Sequence, residues 1–238
     1  MLSPTFAVRP PIPRFSVIVV HYDGVIDDAT LHRGLGSLEA QTFRDFDVLL
    51  YHDGPTRRPL DTAALRRRYP RLARVTTTLV RHNDWGHSLR DMGIRAATGQ
   101  YIVHFNADNV LYPFALEEVD RELRRDRGVF FTGDLSAVFD ANDIVVFAVL
   151  MRGMNSDGRI VWRDRQAPGG GGLPAMIATG YPAQLYNIDC MQLVMRRTTW
   201  LAEGGWSDRT ENADGVLYGR LVARYGARYV SRILGEHW

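Results

Sequence analysis

The feature that most constrains this chain is a regular alternation over its first 126 residues. Short β-branched and apolar runs at 15–20, 46–51, 75–80 and 101–105 are each followed by a polar turn and then by a stretch with helical spacing. Runs of five or six such residues between turn signals read as buried strands. Strands that alternate with helices predict a parallel, doubly wound α/β sheet, because a helix must carry the chain back before the next parallel strand can start. The first helix is expected to reach about residue 41, capped by Asp27 or Asp28, with Leu31, Leu35 and Leu38 on one face. Others are expected over 60–69, stopped by Pro70, over 88–97, closed by Thr98-Gly99, and over 113–126, opened by Pro113.

The second half changes character. Strands are expected at 129–132, 136–139, 144–151 and 191–195, with a hairpin turn at Asn142-Asp143. A helix is expected over 214–225 and a last strand over 228–233. Residues 169–172 are four successive glycines, which read as a flexible connection or as a mobile cover over a ligand. No linker separates the halves near residue 128. Residues 1–14, with Pro4, Pro10, Pro11 and Pro13, read as an extended lead-in, and 15–238 as one domain.

Composition removes several function classes. All 29 basic residues are arginine, which excludes a lysine Schiff base and a P-loop lysine. The net charge is +2 with acids interleaved among the arginines, so no nucleic-acid surface is expected. The single cysteine, Cys190, excludes an internal disulfide and a cysteine-rich zinc site. No run approaches the ~18 apolar residues of a membrane span. The lead-in lacks the apolar centre of a signal peptide, so a cytoplasmic location is expected.

The sharpest motif is Asn106-Ala107-Asp108-Asn109, directly after the 101–105 run. In parallel α/β sheets ligands sit beyond the carboxyl ends of the strands. A carboxylate there can hold a hard divalent cation, and the cation can neutralise a departing diphosphate. Taken alone, the tetrapeptide reads first as a turn. Its neighbours extend the pattern: Phe15 to Tyr22 opens the chain, and Val48-Leu49-Leu50-Tyr51-His52-Asp53-Gly54 closes the second strand. Asn83-Asp84-Trp85-Gly86-His87-Ser88-Leu89-Arg90-Asp91-Met92-Gly93 follows the third, and Ala97-Thr98-Gly99-Gln100-Tyr101 leads into the fourth.

This ordered set resembles the family 2 glycosyltransferases of the GT-A fold, closely over 15–120 and more weakly to the end. Gly204-Gly205-Trp206-Ser207-Asp208 is similar to the family's Gly-Gly-Phe-Asp turn, and Ala213-Asp214 falls where relatives carry Glu-Asp ahead of a helix ending in Arg-Leu, here Arg220-Leu221. The resemblance implies a Rossmann-like nucleotide-diphospho-sugar transferase with a mostly parallel central sheet flanked by helices. Residues 15–127 would be its nucleotide-sugar half and 128–238 its acceptor half. It implies an inverting transfer of a sugar from a nucleotide-diphosphate donor to a glycan or other hydroxyl acceptor, with Mn²⁺ or Mg²⁺.

The resemblance also implies roles. Asp214 falls on the catalytic base, with Glu211 the candidate if the register slips. His21, Tyr22, Asp23, His52 and Asp53 would hold the nucleoside, Arg90 would meet the anionic donor, and Asn106, Asp108 and His237 would take the metal. Trp85 either packs the core or stacks on a sugar. His87 is a surface histidine or a phosphate contact, and Asp189 is expected to be solvated. The chain departs from the family pattern at His52 and Asn106, where relatives carry aspartate, and at Ala213, where they carry glutamate. Two rival readings are a nucleotidyltransferase, which would want the lysine this chain lacks, and a non-catalytic module that binds sugar nucleotides or glycans.

Overall fold

The computed structural model describes residues 11–125, 144–152, 175–185 and 187–238. Its first half follows the expected alternation. Strand β1 (Phe15–His21) leads to helix α1 (Asp28–Glu39), β2 (Phe46–His52), α2 (Thr62–Arg68), β3 (Leu72–Thr77), α3 (His87–Ala96) and β4 (Tyr101–Asn106). A short β5 (Val110–Leu111) and α4 (Ala115–Arg124) follow. After residue 143 come β6 (Ile144–Arg152), β7 (Ala175–Ala178), a single 3₁₀ turn (Cys190–Gln192), β8 (Leu193–Arg196), α5 (Arg197–Ala202), α6 (Ala213–Tyr225) and β9 (Arg228–His237).

Among the described residues one sheet runs in the order β3-β2-β1-β4-β8-β6-β9-β5, with β7 also on β6. The four strands β3, β2, β1 and β4 are parallel, the body that the sequence predicts. Beyond it the sheet is mixed: β8 runs antiparallel to β4 and to β6, whereas β6 and β9 are parallel.

Alternate side chains of the parallel strands feed two cores. Val17, Val19, Val48, Leu50, Val103 and Phe105 pack with Leu31, Leu35 and Leu38 of α1 and Leu116 of α4. Ile18, Val20, Leu49, Tyr51 and Ile102 pack with Leu89 of α3, Trp200 of α5 and Leu217 of α6. Asp27 caps α1 by accepting from the Thr30 N–H at 2.8 Å. Buried Gln41 ties the end of α1 to α4, donating to the Tyr112 carbonyl and accepting from the Leu116 N–H.

Several boundaries differ from expectation for identifiable reasons. The third strand was expected at 75–80 but lies at Leu72–Thr77. Leu72 is buried and pairs with Val48 as soon as the helix ends, while Leu79 and Val80 are 92% and 72% exposed. Their apolar character belongs to a loop. The last strand continues past 233 to His237, drawn out by pairing with β6 and β5. The 3₁₀ turn takes the start of the expected 191–195 strand. Helix α5 and strands β5 and β7 carry too few residues for a periodic signal. The strands expected at 129–132 and 136–139, the Asn142-Asp143 turn and the glycine run lie outside the described residues.

Candidate functional site

The carboxyl ends of β1, β2 and β4 are brought level by register: Val20 pairs with Asn106 and His21 with His52. The Asn106–Asn109 segment turns tightly, closed by the Asn109 N–H donating to the Asn106 carbonyl at 2.9 Å. Helix α1 is pressed against this turn at Gly34, where a Cβ would stand 2.3 Å from the Ala107 carbonyl oxygen. Asp108, buried at this turn, has its backbone carbonyl held by Arg33 at 3.1 Å. From the other side β9 pairs Glu236 with Val110, which brings the neighbouring His237 close to the turn.

The residues expected to hold a nucleoside are tied to one another. The Nδ1 of His52 faces the Gly54 carbonyl at 2.8 Å, so it must carry the proton, and Nε2 then accepts from the Asp23 N–H at 3.2 Å. His21 is pushed down to about 4, first by burial and then by His52, so its imidazole is neutral. Asp23 accepts from the Arg57 N–H at 2.5 Å. Asp53, the residue that closes β2, spends its two oxygens on the N–H groups of His82 and Asn83 at 2.8 and 3.1 Å. It therefore holds the loop after β3 in place. Tyr22 lies under the Arg81 guanidinium, 3.7 Å from its ring centre. Beside these residues a cavity of about 240 Å³ opens between Asp23–Asp28 and Arg57, Arg58 and Leu60.

Behind the Asn106 turn lies a buried charged cluster. Arg90, 2% exposed, donates to the Trp85 carbonyl at 2.8 Å and to Asn106 Oδ1 at 2.5 Å, and its Nη2 stands 3.3 Å from Cys190 Sγ. It was expected to favour an anionic donor, and its guanidinium is held by groups inside the protein. Asp189 was expected to be solvated and is buried, 7% exposed. It caps the 3₁₀ turn, accepting from the Met191 N–H at 3.0 Å, while the Gln192 side chain accepts from the Asp189 N–H. The spacing Asp-x-x-Gln is a capping-box signature that the sequence already carried. The second Asp189 oxygen stands 3.2 Å from His237 Nδ1.

These charges shape one another. Burial alone would raise Asp189 and lower His237. The ion pair reverses both, holding the Asp189 carboxyl well below its usual range and pushing His237 up to about 9. Asp214, the second residue of α6, goes the other way. Burial, and then the charge of Asp189, push its carboxyl up to about 6. Glu211 sits exposed on the loop before α6. Thus Asp214 shares the cluster with Asp189, Arg90 and His237, whereas Glu211 does not.

His87, expected at the surface, is buried at 4% exposure. Its Nε2 faces the Thr210 carbonyl at 2.9 Å and its ring stacks on Trp206, with centroids 5.4 Å apart. Burial pushes it down to about 4, so it is neutral and Nε2 donates. Trp85, by contrast, is 60% exposed and contributes little to the core.

The three expected metal ligands do not stand alike. Asn106 Oδ1 is taken by Arg90 and His237 is paired with Asp189, while the charge of Asp108 is felt at His237. Among the described residues no three His, Cys, Asp or Glu side chains group closely enough to hold a metal ion. Of the three, Asp108 is the carboxylate, the ligand type a hard cation takes.

A family model described as glycosyl transferase family 2 matches residues 16–171. No curated protein matches. Among solved structures, S. aureus TarS 1-349 in complex with UDP-GlcNAc superposes with a TM-score of 0.61 at 13% identity, over 94% of this chain and 58% of that one. The mannosyltransferase PcManGT from Pyrobaculum calidifontis, in complex with GDP-Man and Mn²⁺, gives 0.56 at 15% identity, over 94% and 56%. At such identities the likeness shows the GT-A fold. The chain spans only 36% of the longer TarS structure. No helix among the described residues is long and apolar enough to cross a membrane.

Proposed function

The chain belongs to the family 2 glycosyl transferases, and from that premise we propose that it moves a sugar from a nucleotide-diphosphate donor to an acceptor hydroxyl in one inverting displacement, with Asp214 as the base. The observation that carries this reading is the state of Asp214. A carboxyl raised to about 6 is still mostly ionised at neutral pH, yet it binds a proton more strongly than an ordinary aspartate. Its position at the start of α6, beside the buried cluster, lets it take the acceptor's proton as the new bond forms. Arg90 in the same cluster partly offsets the repulsion between Asp189 and Asp214.

The donor fits the mouth formed by β1, β2 and β4. Tyr22, Asp23 and the cavity beside them frame the nucleoside, and Asn106 and Asp108 face the diphosphate. UDP-GlcNAc and GDP-Man, the ligands of the structural neighbours, support a donor of this class. Asp108 and His237 would hold Mn²⁺ or Mg²⁺, which supplies positive charge to the leaving diphosphate. His237 can ligate only as the neutral imidazole, so cation loading releases a proton and is favoured at higher pH. We read 15–127 as the donor half and 128–238 as the acceptor half of one unit.

The commitment of Asn106 to Arg90, and the lack of a three-ligand group among the described residues, favour one second reading: a module that binds sugar nucleotides without turnover. Incubation with a panel of UDP- and GDP-sugars and Mn²⁺ separates them. Slow release of free sugar and nucleoside diphosphate supports the transferase. Saturable binding with no release over days overturns it, and formation of nucleoside triphosphate and sugar 1-phosphate when pyrophosphate is added supports a nucleotidyltransferase.

A further inference from the structure

The loop between β3 and α3 holds an unusual backbone. Asn83 and Trp85 both have φ of +55°, and Gly86, next in line, has φ of +83°. Glycine takes this left-handed region freely. A bulky residue there is an outlier, because its Cβ crowds its own carbonyl. Such conformations persist only where the surroundings over-determine them, and they cluster at ligand sites.

The surroundings do over-determine this loop. Asp53 holds its start through the His82 and Asn83 N–H groups. Asp84 accepts from the Ser88 N–H and hydroxyl at 2.9 and 2.6 Å. The buried Arg90 guanidinium holds the Trp85 carbonyl. Gly86 is pressed on Val20 at the end of β1, where a Cβ would meet that side chain at 3.0 Å. Buried charges thus fix the backbone of Trp85, yet its indole gains little from packing, since it is 60% exposed. The strain therefore presents the ring rather than burying it.

The ring has a definite neighbourhood. It lies 6.3 Å from His87, and His87 holds the Thr210 carbonyl in the loop that leads to Asp214. Arg209, partly exposed, lies close enough for its charge to act on Asp84 and His87 on either side of Trp85. An exposed aromatic face with a guanidinium nearby matches the chemistry of a sugar ring, which offers an apolar face and a belt of hydroxyls.

We propose that Trp85 is a stacking platform for a saccharide acceptor, so that the accepting hydroxyl is carried on a sugar ring seated between the indole and the Asp214 side of the site. This deepens the transferase reading and rests on it for the word acceptor, while the platform itself does not need turnover.

The test uses the full chain, fluorescently labelled, on an array of soluble oligosaccharides, beside calorimetric titration of UDP and GDP with Mn²⁺. Trp85→Ala is expected to lose at least tenfold in affinity for the saccharides the wild type binds, Trp85→Phe to recover most of it, and nucleoside diphosphate affinity to stay within about twofold. Trp85→Gly should melt about 2–4 °C above Trp85→Ala, because glycine relieves the left-handed strain that alanine retains. Undiminished saccharide binding by Trp85→Ala overturns the proposal. So does loss of UDP or GDP binding, which would make the indole a nucleobase platform, and so does a wild type that binds no saccharide. Donor turnover by the wild type is scored separately. Turnover with an unimportant Trp85 refutes the platform alone, and a functioning platform without turnover refutes the transferase reading alone.

Discussion

Replacing Asp189 by Asn tests the buried electrostatics on which the site depends. The amide keeps the shape and can still accept from the Met191 N–H, so the change removes mainly the charge beside His237. That imidazole is raised from 6.5 to about 9, and at about 1.4 kcal/mol for each tenfold gain in proton affinity the rise corresponds to about 3 kcal/mol. Asp108 and Asp214 contribute part of it, which leaves about 2–3 kcal/mol for Asp189 as an order of magnitude. Because His237 binds its proton more tightly in the folded chain, this stability is present in full below 6.5 and is lost as pH rises through about 9. Urea unfolding of wild type and Asp189→Asn should therefore differ by about 2–3 kcal/mol near pH 6, a melting shift of about 4–12 °C, and by about 1 kcal/mol or less near pH 10. Asp214 should also titrate lower in the variant, since Asp189 is the second cause of its rise. An equal loss of stability at both pH values would refute the coupling and reduce Asp189 to a cap.

Two further outcomes follow from the Asn106–Asn109 turn. Asp108→Ala should abolish the Mn²⁺-dependent part of nucleoside diphosphate binding, read by calorimetry with and without the cation, and unchanged affinity would remove Asp108 from the metal site. Gly34→Ala should lower the melting temperature by about 3–10 °C, as overpacking by about 1–3 kcal/mol does in a chain of this length, and weaken nucleotide binding, because the added Cβ falls 2.3 Å from the Ala107 carbonyl.

The parallel body of the fold was legible because β1, β2 and β4 are dense apolar runs buried on both faces, and its helices carry cap or stop signals. Asp27, Pro70 and the leucines of α1 did what their chemistry predicts. The third strand was misplaced by three residues because Leu79 and Val80 look like strand residues yet stand exposed on a loop. Nothing local distinguishes a displayed apolar pair from a buried one. Asp108 and Asp214 stand where the sequence placed them, at the turn after β4 and at the start of α6. The site was obscured where a role depends on a distant partner. Asp189 is buried because His237, 48 residues on, neutralises it. His87 is buried because Trp206 and Thr210 receive it. Arg90 is internal because Asn106 and the Trp85 carbonyl consume its donors. Pairings across such distances leave no periodic trace in the sequence.

The central claim is that Asp214 takes the acceptor's proton, and its most direct test is transfer from a nucleotide sugar to an acceptor by Asp214→Asn, with Glu211→Gln beside it. The amide keeps the shape but cannot bind the proton at neutral pH. Turnover by Asp214→Asn should fall by about 10²–10⁴ with donor affinity retained, and the wild-type rate should rise with pH through about 6 and then level, as the carboxyl ionises. Glu211→Gln should transfer at close to the wild-type rate. Full activity in Asp214→Asn, or its loss in Glu211→Gln alone, would contradict the account.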